Sequence, residues 1–222
     1  MVTRALDLVL LGAPGAGKGT QAKRIGSAFD LLHLSTGDLL RDEVARCTAL
    51  GGEVKDFMNR GKLVPDELVA RILLLRLHSQ QAGLGCVYDG YPRTVAQAQL
   101  LDGLLAELNR RVDVVMFLAV PDDMLVARMD GRRSCPSCGA VYHVDDQPSR
   151  VANVCDGCGA ELTRREDDRE EVVRERLRVY HETTAPLLGL YRGRNILREV
   201  AGTGSPDEVA GRIRDAMRGV RK

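Results

Sequence analysis

The side chains with the clearest potential for chemistry lie near the N-terminus, in a glycine-rich run that contains a lysine. Residues 12–20 read GAPGAGKGT, directly after a short apolar segment and directly before a segment with helical periodicity. The run matches the pattern G-x-x-x-x-G-K, in which backbone N–H groups and the following helix N-terminus face a polyphosphate. Lys18 adds a mobile positive charge at the β- and γ-phosphates. The alternative, an ordinary glycine-rich turn, is disfavoured by the strand–loop–helix context.

Two further positions bear on a magnesium ion. Gly19 stands where a serine or threonine usually ligates the metal, and Thr20 follows one place later, which leaves a direct hydroxyl–metal bond open to question. Asp89 ends an apolar run of the buried-strand type, where P-loop enzymes keep a carboxylate for magnesium. A role in capping the next turn is the alternative for this aspartate.

Four of the six cysteines form two C-x-x-C pairs with the spacing of a metal site. Cys135 pairs with Cys138 and Cys155 with Cys158, and residues 139–154 separate the pairs. This spacing is in the range of four-thiolate zinc sites, and a glycine after each pair permits a tight turn that directs N–H groups at sulfur. Disulfides are disfavoured in a chain without a secretion signal, and a redox site does not need two matched pairs. We therefore predict one structural Zn²⁺.

Five short apolar runs, some of them containing β-branched residues, predict the strands that position these groups. They are residues 6–11, 31–35, 86–89, 112–120 and 196–201, and stretches such as 68–77 and 95–108 show helical periodicity between them. Strands that alternate with helices indicate an α/β fold with a parallel sheet covered on both faces. Residues 131–168 show little helical periodicity and are too long for a plain connection, so we expect a lid or an inserted subdomain there.

Composition and charge exclude several functional classes. The chain has 222 residues, of which 28% are charged, and its net charge of +1 argues against nucleic-acid binding through bulk charge. The longest clean apolar run, residues 114–120, is far too short to span a membrane. Asp7 interrupts the N-terminal apolar stretch, so we expect no signal peptide. We expect a cytoplasmic globular protein whose partners include neither nucleic acid nor membrane.

Several motifs, in order along the chain, resemble those of adenylate kinases, within the nucleoside monophosphate kinases. Besides the loop at 12–20 they are 34–38 (LSTGD) with Arg41, 61–66 (GKLVPD), 89–93 (DGYPR) with Gln97, 131–133 (GRR), and 164–168 (RREDD) with Arg174 and Arg176. The resemblance extends from Leu8 to about Thr203 and is closest to the bacterial long-lid, zinc-binding type. It implies a P-loop three-layer fold with a five-stranded parallel sheet, an acceptor-nucleotide-binding insertion and a zinc-binding lid.

The resemblance also implies a division of the chain and an activity. Residues 1–34, 65–130 and 169–222 form the core, residues 35–64 the AMP-binding segment, and residues 131–168 the lid. The implied reaction is reversible transfer of the ATP γ-phosphoryl group to AMP, which gives two ADP and serves purine nucleotide homeostasis and salvage. ATP, AMP and ADP are then the partners, Mg²⁺ accompanies ATP, and the enzyme is a monomer.

Site residues follow from the same resemblance, motif by motif. The catalytic residues are expected to be Lys18, Asp89, Arg93, Arg132, Arg165 and Arg176. The ATP-binding residues are expected to be Gly15, Ala16, Gly17, Lys18, Gly19, Thr20, Arg128, Arg132, Val141, Tyr142 and Gly204. The AMP-binding residues are expected to be Thr36, Arg41, Lys62, Leu63, Val64, Gly90, Tyr91, Pro92, Arg93, Gln97, Arg165 and Arg176. For Arg128 a place on the helix surface remains the alternative.

The resemblance gives several of these residues individual roles. Arg41 and Arg93 hold the phosphate of the acceptor nucleotide, because a planar guanidinium binds two phosphate oxygens at once. The other catalytic arginines approach the transferring phosphates from the lid side. Thr36 and Gln97 recognise the acceptor base, and Asp89 acts through metal-bound water.

Three alternative functions have specific sequence requirements. A switch GTPase needs an [NT]-K-x-D motif, which the sequence lacks. A zinc-ribbon nucleic-acid binder needs a basic face with stacking aromatics, whereas the lid has one aromatic residue, Tyr142, and is acidic from Glu166 to Glu171. Sibling kinases that use UMP or CMP have short lids, while GTP as the donor remains open.

Overall fold

A computed structural model gives the fold and describes residues 5–79 and 84–220. The strands are β1 Asp7–Leu11, β2 Leu31–Ser35, β3 Gly85–Asp89, β4 Val112–Ala119, β5 Arg132–Ser134, β6 Val141–His143 and β7 Leu197–Ala201. The α-helices are α1 Lys18–Phe29, α2 Thr36–Ala45, α3 Ala49–Asn59, α4 Asp66–Ser79, α5 Val95–Glu107, α6 Asp122–Asp130, α7 Glu170–Val179, α8 Pro186–Gly193 and α9 Pro206–Ala216. None of these helices combines the length and apolar character needed to cross a membrane.

Five strands form one parallel sheet in the order β2–β3–β1–β4–β7, and β5 pairs with β6 in a separate antiparallel ribbon. Each apolar run that predicts a strand lies in the parallel sheet, which confirms the predicted α/β fold. β1 is the central strand, so the glycine-rich loop that follows it opens at the carboxyl edge of the sheet. Ligands of open α/β sheets bind at this edge, and the fold thus places the loop where a phosphate site belongs.

Apolar side chains pack on both faces of the sheet. Leu8 and Leu10 of β1 belong to one core together with side chains of α1, α7 and α9. Val9 and Leu11 belong to the other core together with side chains of α4, α5 and α8. This alternation follows from the period of two along a strand and covers each face with helices. The strand ends that carry the site are therefore anchored from both sides.

Two segments correspond to the predicted insertions, and the first of them contributes Leu40, Val54 and Val64 to the second core. Residues 35–64 contain α2 and α3, which pack against each other, and residues 131–168 contain the ribbon of β5 and β6 with both cysteine pairs. Ser35 caps α2 by accepting the N–H of Asp38 at 3.2 Å. The exact division into core, AMP-binding segment and lid stays a prediction.

A π-helical turn, Tyr180–Thr184, connects α7 to α8. The N–H of Ala185 donates to the carbonyl oxygen of Tyr180 at 2.9 Å, five residues back. One extra residue in a helical turn rotates the following residues by about 100° relative to a continuous α-helix. The turn therefore decides which side chains of this segment face the site.

Candidate active site

The glycine-rich loop has a backbone shape that glycine adopts readily. Gly15 and Gly17 have φ values of 86° and 87°, in the left-handed region. A Cβ on Gly15 would lie 3.0 Å from the carbonyl oxygen of Leu125, so close packing is a second reason for glycine there. α1 begins at Lys18, and the first N–H groups of a helix lack partners within it. The loop and helix start together offer donors for phosphate.

Lys18 lies in surroundings that disfavour its charge. Its Nζ donates to the carbonyl oxygens of Gly12 at 2.8 Å and Ala13 at 2.9 Å. Burial lowers the pKa of Lys18 to about 7, with neighbouring arginines acting in the same direction and the Asp89 carboxylate opposing them. A bound polyphosphate favours the charged form, so the residue is suited to an anionic ligand.

Asp89, at the carboxyl end of β3, directs its carboxylate toward the glycine-rich loop. A Cβ built on Gly19 would lie 3.3 Å from Asp89 Oδ2, so the missing side chain at this position leaves space beside the carboxylate. His33 Nε2 lies 3.3 Å from the same oxygen, although His33 stands in no chemical motif of the sequence. A carboxylate with open space beside a phosphate loop suits Mg²⁺, which keeps several of its waters. The residues present therefore fit a magnesium ion that accompanies a triphosphate.

Arginines from three parts of the chain converge beside the loop. Arg93 follows β3, Arg132 begins the predicted lid, Arg176 lies on α7, and all three lower the pKa of Lys18. Arg165, near the other end of the predicted lid, lies beside Arg132. Burial and the repulsion of neighbouring arginines lower the pKa of Arg165 and of Arg176 to about 10. Burial also lowers the pKa of Arg93. Bound phosphates would relieve this repulsion, so the cluster is suited to a polyanion.

Two carboxylates that were not predicted as site residues hold the arginines in place. Arg132 donates two hydrogen bonds to the Asp168 carboxylate, from Nε to Oδ2 at 2.7 Å and from Nη2 to Oδ1. Arg176 Nη1 donates to Asp167 Oδ2 at 3.1 Å. Burial alone raises the pKa of Asp167, but the charges of Arg176 and Arg41 outweigh it and keep that pKa below its usual range. Both acids stand in the same charged motif as predicted arginines, which is the signal that identifies them.

A cavity of about 570 Å³ lies between the loop after β3 and residues 35–64. Most residues predicted to bind AMP line it, namely Thr36, Arg41, Lys62, Leu63, Val64, Gly90, Arg93, Gln97 and Arg176. Lining residues absent from the prediction are Gly37, Leu40, Met58, Gly61, Val69 and Asp167. Pro92 instead lines a neighbouring cavity of about 510 Å³ with Lys18. Tyr91 is buried behind this surface, and Arg165 lies outside both linings.

The two side chains predicted to recognise the acceptor base are buried in the first cavity. Thr36 Oγ1 donates to the carbonyl oxygen of Gly90 at 3.0 Å. Gln97 Oε1 accepts the N–H of Arg93 at 2.7 Å, and its Nε2 donates to Asp66 Oδ1 at 2.6 Å. One N–H and one lone pair of the Gln97 amide remain for a ligand, because each of its polar atoms can make two hydrogen bonds.

The ATP-binding residues predicted outside the glycine-rich loop lie on separate elements. Arg128 of α6 donates from Nη1 to the carbonyl oxygen of Gly202 at 3.0 Å, beside the turn that contains Gly204. Gly204 has a φ of 94° and is exposed. Val141 and Tyr142 lie half-buried on β6 of the lid. Arg128 thus contacts the core around Gly204 rather than projecting freely from the helix surface.

The four predicted metal ligands form one cluster, with all Sγ atoms within 4.8 Å of one another. Cys135 and Cys158 have their Sγ atoms 3.4 Å apart, and Cys138 and Cys155 have theirs 3.5 Å apart. These distances exclude disulfides, whose sulfurs are about 2.0 Å apart. They are near the spacing of about 3.8 Å that a tetrahedral site with Zn–S bonds of about 2.3 Å requires. The four thiolates therefore fit a zinc ion.

Tyr142 connects the predicted ATP-binding strand to this cluster. Its hydroxyl accepts the N–H of Asp156 at 2.9 Å and lies 3.6 Å from Cys155 Sγ. The hydroxyl lowers the pKa of the Cys155 thiol to about 6, which favours the thiolate that a metal needs. The phenol group is thus engaged with the cysteine cluster, and its ring remains the part available to a nucleotide.

Comparisons with known proteins agree on one family. A sequence profile described as "Adenylate kinase" matches residues 10–196. The adenylate kinase of Archaeoglobus fulgidus is 49% identical over 198 residues, which cover 89% of this chain and 91% of the relative. The enzyme of Thermodesulfovibrio yellowstonii is 50% identical over 204 residues, or 92% and 95% of the two chains. That of Caldicellulosiruptor bescii is 45% identical over 213 residues, or 96% and 98%.

Proposed function

The chain belongs to the adenylate kinase family, and from that premise we propose which side chains carry out its reaction. It is a phosphotransferase that moves the γ-phosphoryl group of ATP reversibly to AMP and yields two ADP. This transfer requires in-line placement and charge neutralisation more than an acid or a base. The proposed catalytic set is Lys18, Asp89, Arg93, Arg132, Arg165 and Arg176.

The observation that supports this set most strongly is the convergence of half-buried positive charge on two adjoining cavities. Arg93 and Arg176 line both cavities, and Lys18 lines the one next to the glycine-rich loop. The lowered pKa values of Lys18 and Arg176 come first from burial and then from the repulsion of neighbouring arginines, and a bound anion would oppose both effects. A phosphoryl group that passes between the cavities would be within reach of cations from both nucleotide sites.

On the donor side, the glycine-rich loop binds the ATP phosphates through backbone N–H groups while Lys18 contacts the β- and γ-oxygens. Arg128 and Gly204 lie at the adenine of ATP, where Arg128 already contacts Gly202. Asp89 would hold Mg²⁺ through water, and the ion would supply positive charge to neutralise the β- and γ-phosphates.

On the acceptor side, Arg41 and Arg93 bind the phosphate of AMP and Gln97 binds its adenine. Arg93 and Gln97 already contact each other through a backbone N–H, so the phosphate and base subsites are held at a fixed spacing. Thr36, buried under the cavity, completes the base subsite through its contact with Gly90. Preorganised groups of this kind reduce the entropy that must be lost during reaction.

The lid supplies the remaining charge and keeps water out. Arg132 and Arg165 lie near its two ends, so closure over ATP delivers both guanidinium groups together. Exclusion of water matters because bound ATP would otherwise be hydrolysed. The four cysteines hold one zinc ion with no open coordination position, and the ion is therefore structural.

We further propose that the enzyme works as a cytoplasmic monomer on free nucleotides, without nucleic acid or membrane as a partner. The net charge of +1 supports the lack of nucleic-acid and membrane partners, since it gives no bulk attraction to polyanionic surfaces.

A direct test measures formation of both nucleoside diphosphate products from every pair of ATP or GTP with AMP, UMP, CMP or GMP. We expect ATP with AMP to give the highest kcat/KM for both substrates. Replacement of Gln97 by Glu removes the amide N–H donors and should raise KM for AMP more than KM for ATP. Faster transfer with GTP than with ATP would contradict the assigned donor. An unchanged preference for AMP in the Gln97→Glu variant would contradict the assigned base subsite.

A further inference from the structure

Arg93 is held at three points, and its terminal amino groups are left open. Its backbone N–H donates to Gln97 Oε1 at 2.7 Å, and its Nε donates to the carbonyl oxygen of Gly90 at 2.8 Å. Its own carbonyl oxygen accepts the hydroxyl of Thr184 at 2.9 Å. Within the described part of the chain, no hydrogen bond uses its Nη atoms. The three bonds therefore fix the residue while the phosphate-binding end of the guanidinium remains available.

Thr184 makes this bond because of the π-helical turn. Threonine hydroxyls in helices commonly donate to a carbonyl oxygen one turn back. Thr183 does so, with its Oγ1 2.7 Å from the carbonyl oxygen of Val179. Thr184, the next residue, is buried and instead reaches Arg93, 91 residues away in sequence. Neighbouring helical residues point about 100° apart, so Thr183 and Thr184 have different partners, and the extra residue of the π-helical turn shifts which of them faces Arg93.

The bond connects the two arginines that line both cavities. Arg176 lies on α7, and the π-helical turn continues that helix to Thr184. Thr184, Arg93 and Arg176 all line the cavity of about 510 Å³ that also contains Lys18. The hydroxyl of Thr184 thus makes a direct hydrogen bond between the segment that carries Arg176 and the loop that carries Arg93.

We propose that Thr184 is a positioning residue for phosphoryl transfer, which holds the backbone of Arg93 in register with Arg176. The inference rests on the proposed role of Arg93 at the acceptor phosphate. The hydroxyl of Thr184 donates to the backbone of Arg93, so we assign its effect to Arg93 and not to a direct contact with a nucleotide. Its effect is therefore expected on the AMP side of the kinetics, and it should disappear when the Arg93 guanidinium is absent.

The test compares Thr184→Val, which removes the hydroxyl at nearly constant shape, with Thr184→Ser, which keeps it. Thr183→Val is the matched control, because it removes a neighbouring hydroxyl whose bond is local. We expect Thr184→Val to lower kcat/KM for AMP about tenfold, the scale of one net hydrogen bond, and to change KM for ATP less than about twofold. Thr184→Ser should recover most of the loss, and Thr183→Val should resemble the wild type.

A double variant separates positioning from simple stabilisation. In an Arg93→Ala background, Thr184→Val should cause no further loss of kcat/KM for AMP, because the residue that it positions is already incomplete. An additive loss, an equal loss in Thr184→Ser, or wild-type AMP kinetics in Thr184→Val would each overturn the proposal. If Thr184→Val does not fold, the pair Thr184→Ala and Thr184→Ser gives the same comparison. Full AMP activity of Arg93→Ala alone would instead refute the assigned role of Arg93.

Discussion

The guanidinium of Arg132 binds the carboxylate of Asp168, and this pair joins the two ends of the lid. The Nε of Arg132 donates to Oδ2 at 2.7 Å, Nη2 donates to the other oxygen, and Asp168 is only 1% exposed. Arg132 begins β5 at the start of residues 131–168, and Asp168 is the last residue of that segment. The pair closes the base of the lid and orients a guanidinium that we place at the transferring phosphates.

Asp168→Asn should destabilise the protein and slow transfer. The substitution keeps the shape but leaves the Arg132 charge without its buried partner, which typically lowers the free energy of unfolding by about 3 kcal/mol. Asp130→Asn is the control, because Asp130 pairs with Arg164 on the exposed surface and should change stability by less than about 1 kcal/mol. Urea unfolding and kcat measure both effects, and equal results for the two variants would contradict the account.

Binding of ATP should be coupled to proton uptake by Lys18. The pKa of Lys18 is lowered to about 7 in the nucleotide-free protein, and the polyphosphate raises it again. Lys18 is therefore mostly neutral before binding at pH 8 and charged afterwards, whereas at pH 6 it is charged in both states. Calorimetry in buffers of different ionisation enthalpy should detect close to one proton taken up at pH 8, and affinity should fall as pH rises above 7. The same uptake in Lys18→Met would show that another group titrates.

Arg93→Lys should be nearly as damaging as Arg93→Ala. Lysine retains the charge but not the fork that binds two phosphate oxygens, and it cannot reproduce the bond from Nε to Gly90 in the same geometry. A misplacement of about 1 Å can slow a reaction on the order of a hundredfold. Arg174→Lys, at an exposed position of α7, is the control with expected wild-type kinetics. Full activity of Arg93→Lys would indicate that charge alone is sufficient.

Loss of the zinc ligands should weaken the fold before it weakens catalysis. Cys135→Ser combined with Cys138→Ser should lower the melting temperature while activity in the cool persists, because the lid arginines lie outside the cysteine pairs. Structural zinc sites provide about 10–16 kcal/mol of apparent binding free energy, which this apolar-poor segment needs in order to fold. Elemental analysis should find about one zinc per wild-type chain. Cys47→Ser, at an exposed cysteine outside the lid, should change neither quantity.

Absence of metal in the wild-type protein would refute this assignment. It would also be refuted if chelation stopped catalysis at low temperature without loosening the lid.

The elements with local signals could be predicted from the sequence. The run at 6–11 is rich in leucine and the run at 112–120 is rich in valine, and they form the central strand β1 and its neighbour β4. The four cysteines, spaced as two short pairs, come together as one cluster. In each case the information lies within a few residues, so the pattern determines the structure without knowledge of distant contacts.

The supporting residues depend on contacts between distant parts of the chain. Asp168 acquires its role from burial against Arg132, 36 residues away, and the acidic residues of its motif otherwise look like a solvated surface. The π-helical turn has no periodicity signal, since its one extra residue brings Thr184 to Arg93 across 91 residues. Tertiary packing determines both features, and a single sequence does not display it.

The Lys18→Met variant tests whether the positive charge at the glycine-rich loop is required for phosphoryl transfer. Methionine keeps much of the side-chain volume and removes the positive charge that would contact the β- and γ-oxygens of ATP. Because burial of this charge opposes folding, the nucleotide-free variant should melt no lower than the wild type. We predict that its steady-state rate of ADP formation from ATP and AMP falls by far more than tenfold. A folded Lys18→Met protein that kept more than about a tenth of the wild-type rate would contradict the account. Such a rate would mean a loss of less than about 1.4 kcal/mol of transition-state stabilisation.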